Sequence, residues 1–364
     1  MLPPPDNSTC YARSQLKGKE LQLYDSIVST LQMGQNALST GHFDANRALE
    51  ITMLVLRDHP EFYWVAGAAS FGGFGSKLKL TKCISPDRTL EAHVMDVLDD
   101  FASSLPPSCS DYTKAKKAYE LIATCATYDN DTSQSTRHLV VSHSLWGVFG
   151  ERRAVCDGFS SALQFLLQHV GICAYRLTGT ATSQFESGLH SWVLARIDGN
   201  YYHIDPTWSV MSLEGMAQNE DVVAVNYDYL CLRDSDVVAT HHPEEAICVE
   251  PCKSKNANYY VQEGLVVQLW DERFLADCFA RQLTQGLEWI SVRAATHSLF
   301  ERLQHSCEAG DSLYTLVIKA LKDRGEKDSD PGRLAYTTNA DLRTIHLLFI
   351  GANELSNRNA GNDQ

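Results

Sequence analysis

The chain has 364 residues, 44% of them hydrophobic and 21% charged, with 22 Gly and 11 Pro. That composition is globular. It excludes a disordered, collagen-like or coiled-coil chain, and the length allows two domains or slightly more with a core that needs no disulfides. Lys and Arg number 31 against 45 Asp and Glu, a net charge of −14, which repels phosphate backbones and anionic membrane surfaces, so neither nucleic acid nor a membrane is expected as a partner.

The opening Met1-Leu2-Pro3-Pro4-Pro5-Asp6 has no basic stretch followed by an apolar one, and no run approaches about 18 apolar residues. A cytoplasmic protein is therefore expected. The eleven cysteines include no C-x-x-C pair and read as scattered reduced thiols. Residues 1–15, Pro-rich and polar, are expected to be irregular. The spacing predicts a helix over 16–36 with Leu21, Tyr24, Ile27, Val28 and Leu31 on one face. A second helix is predicted over 43–58, with Ala48, Leu49, Met53, Leu54 and Leu56 among its apolar positions, stopping at His59-Pro60. Residues 62–65 and 77–81 predict a strand pair around Gly72-Gly73-Phe74-Gly75, a turn without the Lys and Ser/Thr of a phosphate loop. Helices follow over 87–104 and 111–127, split by Pro106-Pro107. Asp96, Asp99 and Asp100 form a charged helix end and not a metal site. Residues 129–137 are expected to be a loop, and 211–260 to be loop-rich. Beyond them the pattern predicts a helix over 271–286, a strand at Trp289–Ala294, helix over 296–323 broken near Gly310, a strand pair at 334–338 and 342–349, and a frayed polar tail over 353–364. The helix–helix–hairpin order at both ends suggests duplicated flanking units.

The strongest pattern lies between 140 and 210. In Ala154-Val155-Cys156-Asp157-Gly158-Phe159-Ser160-Ser161-Ala162-Leu163, the residues Phe159, Ala162, Leu163, Leu166, Leu167 and Val170 recur at helical spacing, and Gly171 closes the run. Cys156 is thereby placed at, or one residue before, the N-terminus of a buried helix. The dipole and the unpaired N–H groups there favour a thiolate and can donate to the oxygen of a tetrahedral intermediate. Downstream, two apolar-aromatic runs flank Asp198-Gly199, a two-residue hairpin signal. With that turn 197 pairs with 200, Asp205 lies opposite Trp192, and His190 projects from the same face as Asp205, diagonal to it. A three-residue loop would put His190 and Asp205 on opposite faces. A Cys on a helix N-terminus, with a His and an Asp on facing strands, is the arrangement of a thiol nucleophile: His190 takes the Cys156 proton and Asp205 fixes the imidazole tautomer.

These blocks, with His190-Ser191-Trp192 and Asp198-Gly199-Asn200-Tyr201-Tyr202-His203-Ile204-Asp205-Pro206-Thr207-Trp208, resemble the core of the transglutaminase-like (papain-like thiol) superfamily. Tyr128-Asp129 and His143-Ser144-Leu145-Trp146-Gly147 resemble the stretch ahead of its nucleophile. Asp58-His59-Pro60-Glu61-Phe62-Tyr63-Trp64 and Asn258-Tyr259-Tyr260 resemble flanks of a bacterial subgroup. Departures are Ala154 for Gly, Phe159-Ser160 for Tyr-Ala, Ser191 for Ala and Tyr201 for Trp; none touches the triad. The resemblance implies an α+β fold, with the nucleophile helix packed on an antiparallel sheet, and three segments: flanking regions 1–105 and 263–364 around a catalytic core over 106–262. It also implies catalytic residues Cys156, His190 and Asp205, with no metal and no cofactor, and calcium independence is expected from the absence of a D-x-[DN]-x-[DN]-G loop.

Trp146 and Trp192 are the candidates for lining the substrate pocket, although packing is the plainer role for both and for Trp208. His203 shares a strand face with Asp205 and reads as structural or as a support for the triad. His241, His242, Cys248 and Cys252 match no zinc-finger spacing and read as incidental. The expected function is acyl transfer: an acyl-thioester on Cys156, formed from a protein, peptide or carrier-bound donor, passes its acyl group to an amine acceptor with amide-bond formation. The alternatives are a cysteine protease or amidase, and a non-catalytic binding scaffold.

Overall fold

Helix starts follow from short side chains that satisfy the first N–H groups. Asp44 accepts from Asn46 and Arg47 N, Asp87 from Thr89 and Leu90 N, and Ser110 from Thr113 N. In chain order these and neighbouring signals give α1 (Tyr11–Gln15), α2 (Gly18–Gln32), β1 (Ala37–Gly41), α3 (Ala45–Asp58), β2 (Val65–Phe71), β3 (Ser76–Lys82), α4 (Arg88–Ser104), α5 (Asp111–Cys125), β4 (Thr127–Tyr128), α6 (Thr136–Ser142), β5 (Arg153–Ala154) and α7 (Cys156–His169). They continue with β6 (Ala174–Thr182), β7 (Ser187–Ile197), β8 (Asn200–Ile204), α8 (Pro206–Met211), α9 (Asp234–Val237) and β9 (His241–Pro243). The computed structural model describes residues 1–41, 43–71, 76–131, 135–182, 187–211, 225–244, 249–285, 289–308, 312–323 and 333–350.

The fold is α+β, and it has two compact units where the sequence suggests three segments. One comprises Met1–Ser212 with Tyr229–Ser254; the other comprises the described residues of Leu213–Asp228 and Lys255–Gln364. The division at 105 does not separate two bodies, because α3 packs on β6 and the turn after α3 packs on α7.

In the first unit β1-β3-β2 form an antiparallel sheet, and β8-β7-β6-β9 form a second in which every neighbouring pair is antiparallel. α7 lies on β6 and β7. Every residue of α7 from Gly158 to Gln168 is buried, as expected of a helix enclosed on all sides. Its polar side chains therefore need internal partners. Ser160 Oγ donates to Ser191 O at 2.9 Å, Gln164 Nε2 to Arg57 O at 2.8 Å, and Gln168 Nε2 to Asp58 O at 2.8 Å. Ser160, one of the departures from the family pattern, thus ties the helix to the backbone of the strand beside His190, while the Ser191 hydroxyl donates to Leu177 O on β6 at 3.0 Å.

The segment 1–15 is ordered, against the irregular expectation. Cys10, Tyr11 and Ala12 have essentially no exposure, and Tyr11 packs on Tyr175 of β6. The cause is remote in sequence. The Asp58 carboxylate, wholly buried, accepts from Ala12 N (3.1 Å), Arg13 N (2.9 Å) and Tyr24 Oη (2.7 Å). Asp58→Ala orphans these three donors, and a loss of about 3 kcal/mol in unfolding free energy is expected. Urea denaturation should show a lowered midpoint with an unchanged slope; an unaltered midpoint would refute the anchoring role. The α3 face also differs from expectation. Ala48, Ile51, Thr52, Val55 and Asp58 are buried while Met53 is 46% exposed.

In the second unit are α10 (Tyr259–Gln262), β10 (Val266–Val267), α11 (Glu272–Thr284), β11 (Trp289–Ala294), α12 (His297–Glu308), α13 (Ser312–Asp323), β12 (Arg333–Asn339) and β13 (Thr344–Ile350), with strand order β10-β11-β13-β12. Trp289 Nε1–H donates to His346 Nδ1 at 2.9 Å, and His346 Nε2 meets Asp228 Oδ2 at 3.1 Å. Asp228 also accepts from Tyr260 Oη and Thr344 Oγ1 and has no exposed side-chain surface. The expected turn at 72–75, the break near Gly310 and the tail lie outside the described residues.

Candidate active site

The site is built by α7, by the β7–β8 hairpin and by β9. The hairpin register is the one the two-residue turn requires: Ile197 pairs with Asn200 and Val193 with Ile204, and both Asp198 (φ 46) and Gly199 (φ 84) are left-handed. His190 and Asp205 consequently meet, Nε2 to Oδ2, at 2.8 Å. Asp205 Oδ1 accepts from Thr207 N (2.9 Å) and Trp208 N (3.3 Å) at the start of α8.

Cys156 is the first residue of α7. Its N-cap, Val155, supplies no side-chain acceptor, and Val155 N is instead anchored to Ser142 O at 3.0 Å. A Cβ on Gly158 would stand 2.5 Å from Ser142 O, so glycine is what lets the helix start lie against that backbone. The half-buried Cys156 stands near enough to the His190 ring to raise its proton affinity. Because Nε2 faces Asp205, Nδ1 is the nitrogen left for the thiol. The structure therefore brings Cys156, His190 and Asp205 together as the sequence suggests.

Burial alone disfavours the His190 imidazolium. The Asp205 carboxylate and the contact with Cys156 outweigh it, and the ring is pushed up to about 10. Burial likewise opposes ionisation of Asp205, but His190 and His241 hold its carboxyl well below the usual carboxylate range. Beside Cys156, Asp157 is also held low despite burial, by Arg176 (3.6 Å) and His143 (3.0 Å).

Trp192 is wholly buried, so it lies under the triad and lines no pocket. Its ring stacks on His190 with centroids 6.1 Å apart, and Nε1–H donates to His203 Nδ1 at 3.0 Å. His203 in turn pairs with Asp234 at 3.0 Å, which makes it part of a Trp–His–Asp support behind the triad. Trp146 packs edge-on against Tyr63 (5.8 Å) under the Arg137 guanidinium (5.0 Å); its ring partners are these and not the triad. Trp208 sits 5.6 Å from the His190 ring.

Sequence reasoning missed His241. Its Nε2 reaches Asp205 Oδ2 at 3.1 Å, while Cys252 groups with His203 and Asp234, and Cys248 lies outside the described residues. His241 and Cys252 thus fall in separate groups, and the atoms of the His190–Asp205–His241 group are joined by hydrogen bonds. A second Cys–His–acid series exists, with Cys10 Sγ 3.9 Å from His59 and His59 2.7 Å from Glu61. Cys10 has no exposure, and burial pushes its thiol far up, so that series is closed to substrate.

Residues 100–206 match the family described as the transglutaminase-like superfamily. No curated protein matches the chain. Among solved structures the chain is similar to a TGase (14% identity, TM-score 0.30, covering 43% of this chain and 46% of that one). It is also similar to a proposed cysteine protease from Cytophaga hutchinsonii (16%, 0.26, 36% and 51%). A third is the periplasmic domain of TgpA from Pseudomonas aeruginosa bound to ethylmercury (13%, 0.26, 38% and 57%). The matches span about half the length of those chains. No helix among the described residues is long and apolar enough to cross a membrane.

Proposed function

Since residues 100–206 are transglutaminase-like, we propose that the protein is a thiol acyltransferase whose nucleophile is Cys156, with His190 as general base and acid and Asp205 as its orienting carboxylate. The observation that carries this reading is the His190–Asp205 contact, Nε2 to Oδ2 at 2.8 Å, beside the N-terminus of α7, where Cys156 stands near enough to raise the ring's proton affinity. His190 takes the thiol proton, and the sulfur attacks the carbonyl carbon of an amide or thioester. The N–H groups of the first turn of α7 receive the oxygen as it becomes anionic. The imidazolium protonates the leaving amine or thiol, which departs as the acyl-thioester forms. An acceptor amine then gives its proton to His190 and displaces the sulfur, closing a new amide and restoring the thiol. The net charge of −14 favours approach of a cationic amine.

Incubation with a panel of acyl donors and a labelled amine should give labelled amide. Acid release without amine uptake identifies a hydrolase instead, and an iodoacetamide rate at Cys156 no faster than at the other cysteines identifies a non-catalytic scaffold. The raised His190 sets the pH dependence. Its proton is lost only as pH climbs through about 10, so activity should persist to about pH 9 and fall beyond it. A rate that has already collapsed by about pH 8 contradicts the Asp205-supported imidazolium.

A further inference from the structure

We infer that His241, donating Nε2–H to Asp205 Oδ2 from strand β9, is a positioning residue that sets the carboxylate against which His190 is aligned. The inference rests on the catalytic reading of the same site.

A carboxylate with one partner can rotate; Asp205 has four. Two backbone N–H groups hold Oδ1, and two imidazoles share Oδ2, His190 at 2.8 Å and His241 at 3.1 Å. The geometry leaves Asp205 a single orientation, with Oδ2 directed at both rings.

The carboxylate fixes the tautomer of His241, because a neutral ring can donate to it only with the proton on Nε2. Nδ1 lies 2.8 Å from Thr240 Oγ1. With Nε2–H donating to Asp205, Nδ1 is left as an acceptor, and the Thr240 hydroxyl, which also lies 3.2 Å from Val237 O, is within reach to donate to it. Three titratable groups face it: Asp205, His190 from β7 and His203 from β8. Burial lowers its proton affinity, Asp205 opposes that, and His190 and His203 reinforce it; the ring stands below its ordinary value and is neutral at neutral pH. Aromatic faces close the remaining sides, with Trp208 at 4.6 Å, Trp192 at 5.1 Å and Tyr229 at 6.3 Å between centroids. A neutral donor suits the position, since a second cation would draw the carboxylate charge away from His190.

The backbone is arranged for this contact. β9 pairs with β6 through Ala181–His241, Thr180–His242 and Gly179–Pro243. A Cβ on Gly179 would stand 2.1 Å from His242 O. Glycine is therefore required opposite His190 on β6 for β9 to come close enough to present His241.

Alkylation of Cys156 by iodoacetamide, followed by mass spectrometry across pH, reads the ion pair without any substrate. His241→Gln, which still offers an N–H, should stay within about 3-fold of wild type at pH 7. His241→Phe fills the volume but donates nothing; its rate should fall about 10-fold, with the alkaline limb moved down by about one unit. The reverse order, Phe normal and Gln impaired, assigns His241 to packing and overturns the inference. In the unaltered protein, side-chain 15N spectra at pH 7 should show His241 protonated on Nε2; protonation on Nδ1 overturns it as well. Normal wild-type alkylation with either contrary result sinks the role of His241 alone, whereas an unreactive wild-type Cys156 sinks the catalytic reading and this inference with it.

Discussion

Cys156→Ala is expected to reduce acyl transfer by at least about 10^4-fold, on the order of 5 kcal/mol of transition-state stabilisation. The substitution removes one atom and little else. Alanine is the best helix former, Cys156 occupies the first position of α7, and the thiol is only half-buried, so stability should change by less than about 1 kcal/mol. Among the described residues, Cys156 is the thiol that acts on the His190 ring. Cys10, Cys231 and Cys252 are buried, and burial pushes Cys125 and Cys173 up to about 11. Intact mass after incubation with acyl thioesters separates the outcomes: the wild type gains one acyl group and the variant none. Labelled amide formed by the variant at the wild-type rate would remove Cys156 from the chemistry.

The His190–Asp205 meeting was readable in the sequence because it depends on one local rule. A two-residue Asp-Gly turn fixes the strand register, and the register fixes which side chains share a face. The nucleophile helix was readable for a similar reason, since Phe159, Ala162, Leu163, Leu166 and Leu167 all fall on buried positions. His241 was not readable. It reaches Asp205 through the pairing of β9 with β6, strands separated by the hairpin, α8 and α9, and no local pattern encodes that pairing. The same limit explains residues 1–15. Their composition suggests a loop, but a carboxylate beyond two helices supplies the missing acceptor. It also explains the two units. The described residues 225–228 group with the C-terminal residues while the described residues of Tyr229–Ser254 return to the first unit, so segments interleave in a way that cuts along the chain cannot represent.

Support behind the triad follows a pattern that appears in both units. Trp192, His203 and Asp234 form an N–H···N, N–H···O series in the first; Trp289, His346 and Asp228 form another in the second. In each, the indole N–H occupies Nδ1, which leaves the proton on Nε2 for the carboxylate. These histidines are held in one tautomer by their tryptophans, so neither is free to act as a base. His190 differs because its second nitrogen faces a thiol.

Asp205→Asn is expected to lower acyl transfer by about 10^3- to 10^4-fold while leaving the fold intact. An asparagine has one acceptor oxygen where aspartate has two. The backbone N–H groups of Thr207 and Trp208 are fixed donors, and they keep that oxygen on their own side. The amide N–H2 then points at His190 and His241, where an acceptor was. His190 must answer with an unprotonated Nε2, which moves its proton to Nδ1, toward Cys156. The ring can no longer take the thiol proton, and it has also lost the anion that raised it to about 10. Two measurements should therefore change together: kcat drops, and the alkaline limb of Cys156 alkylation moves down toward the ordinary imidazole range. The thermal midpoint should shift only slightly, because both backbone donors remain satisfied. A variant with normal turnover and an unmoved alkaline limb would show that Asp205 neither orients nor charges His190.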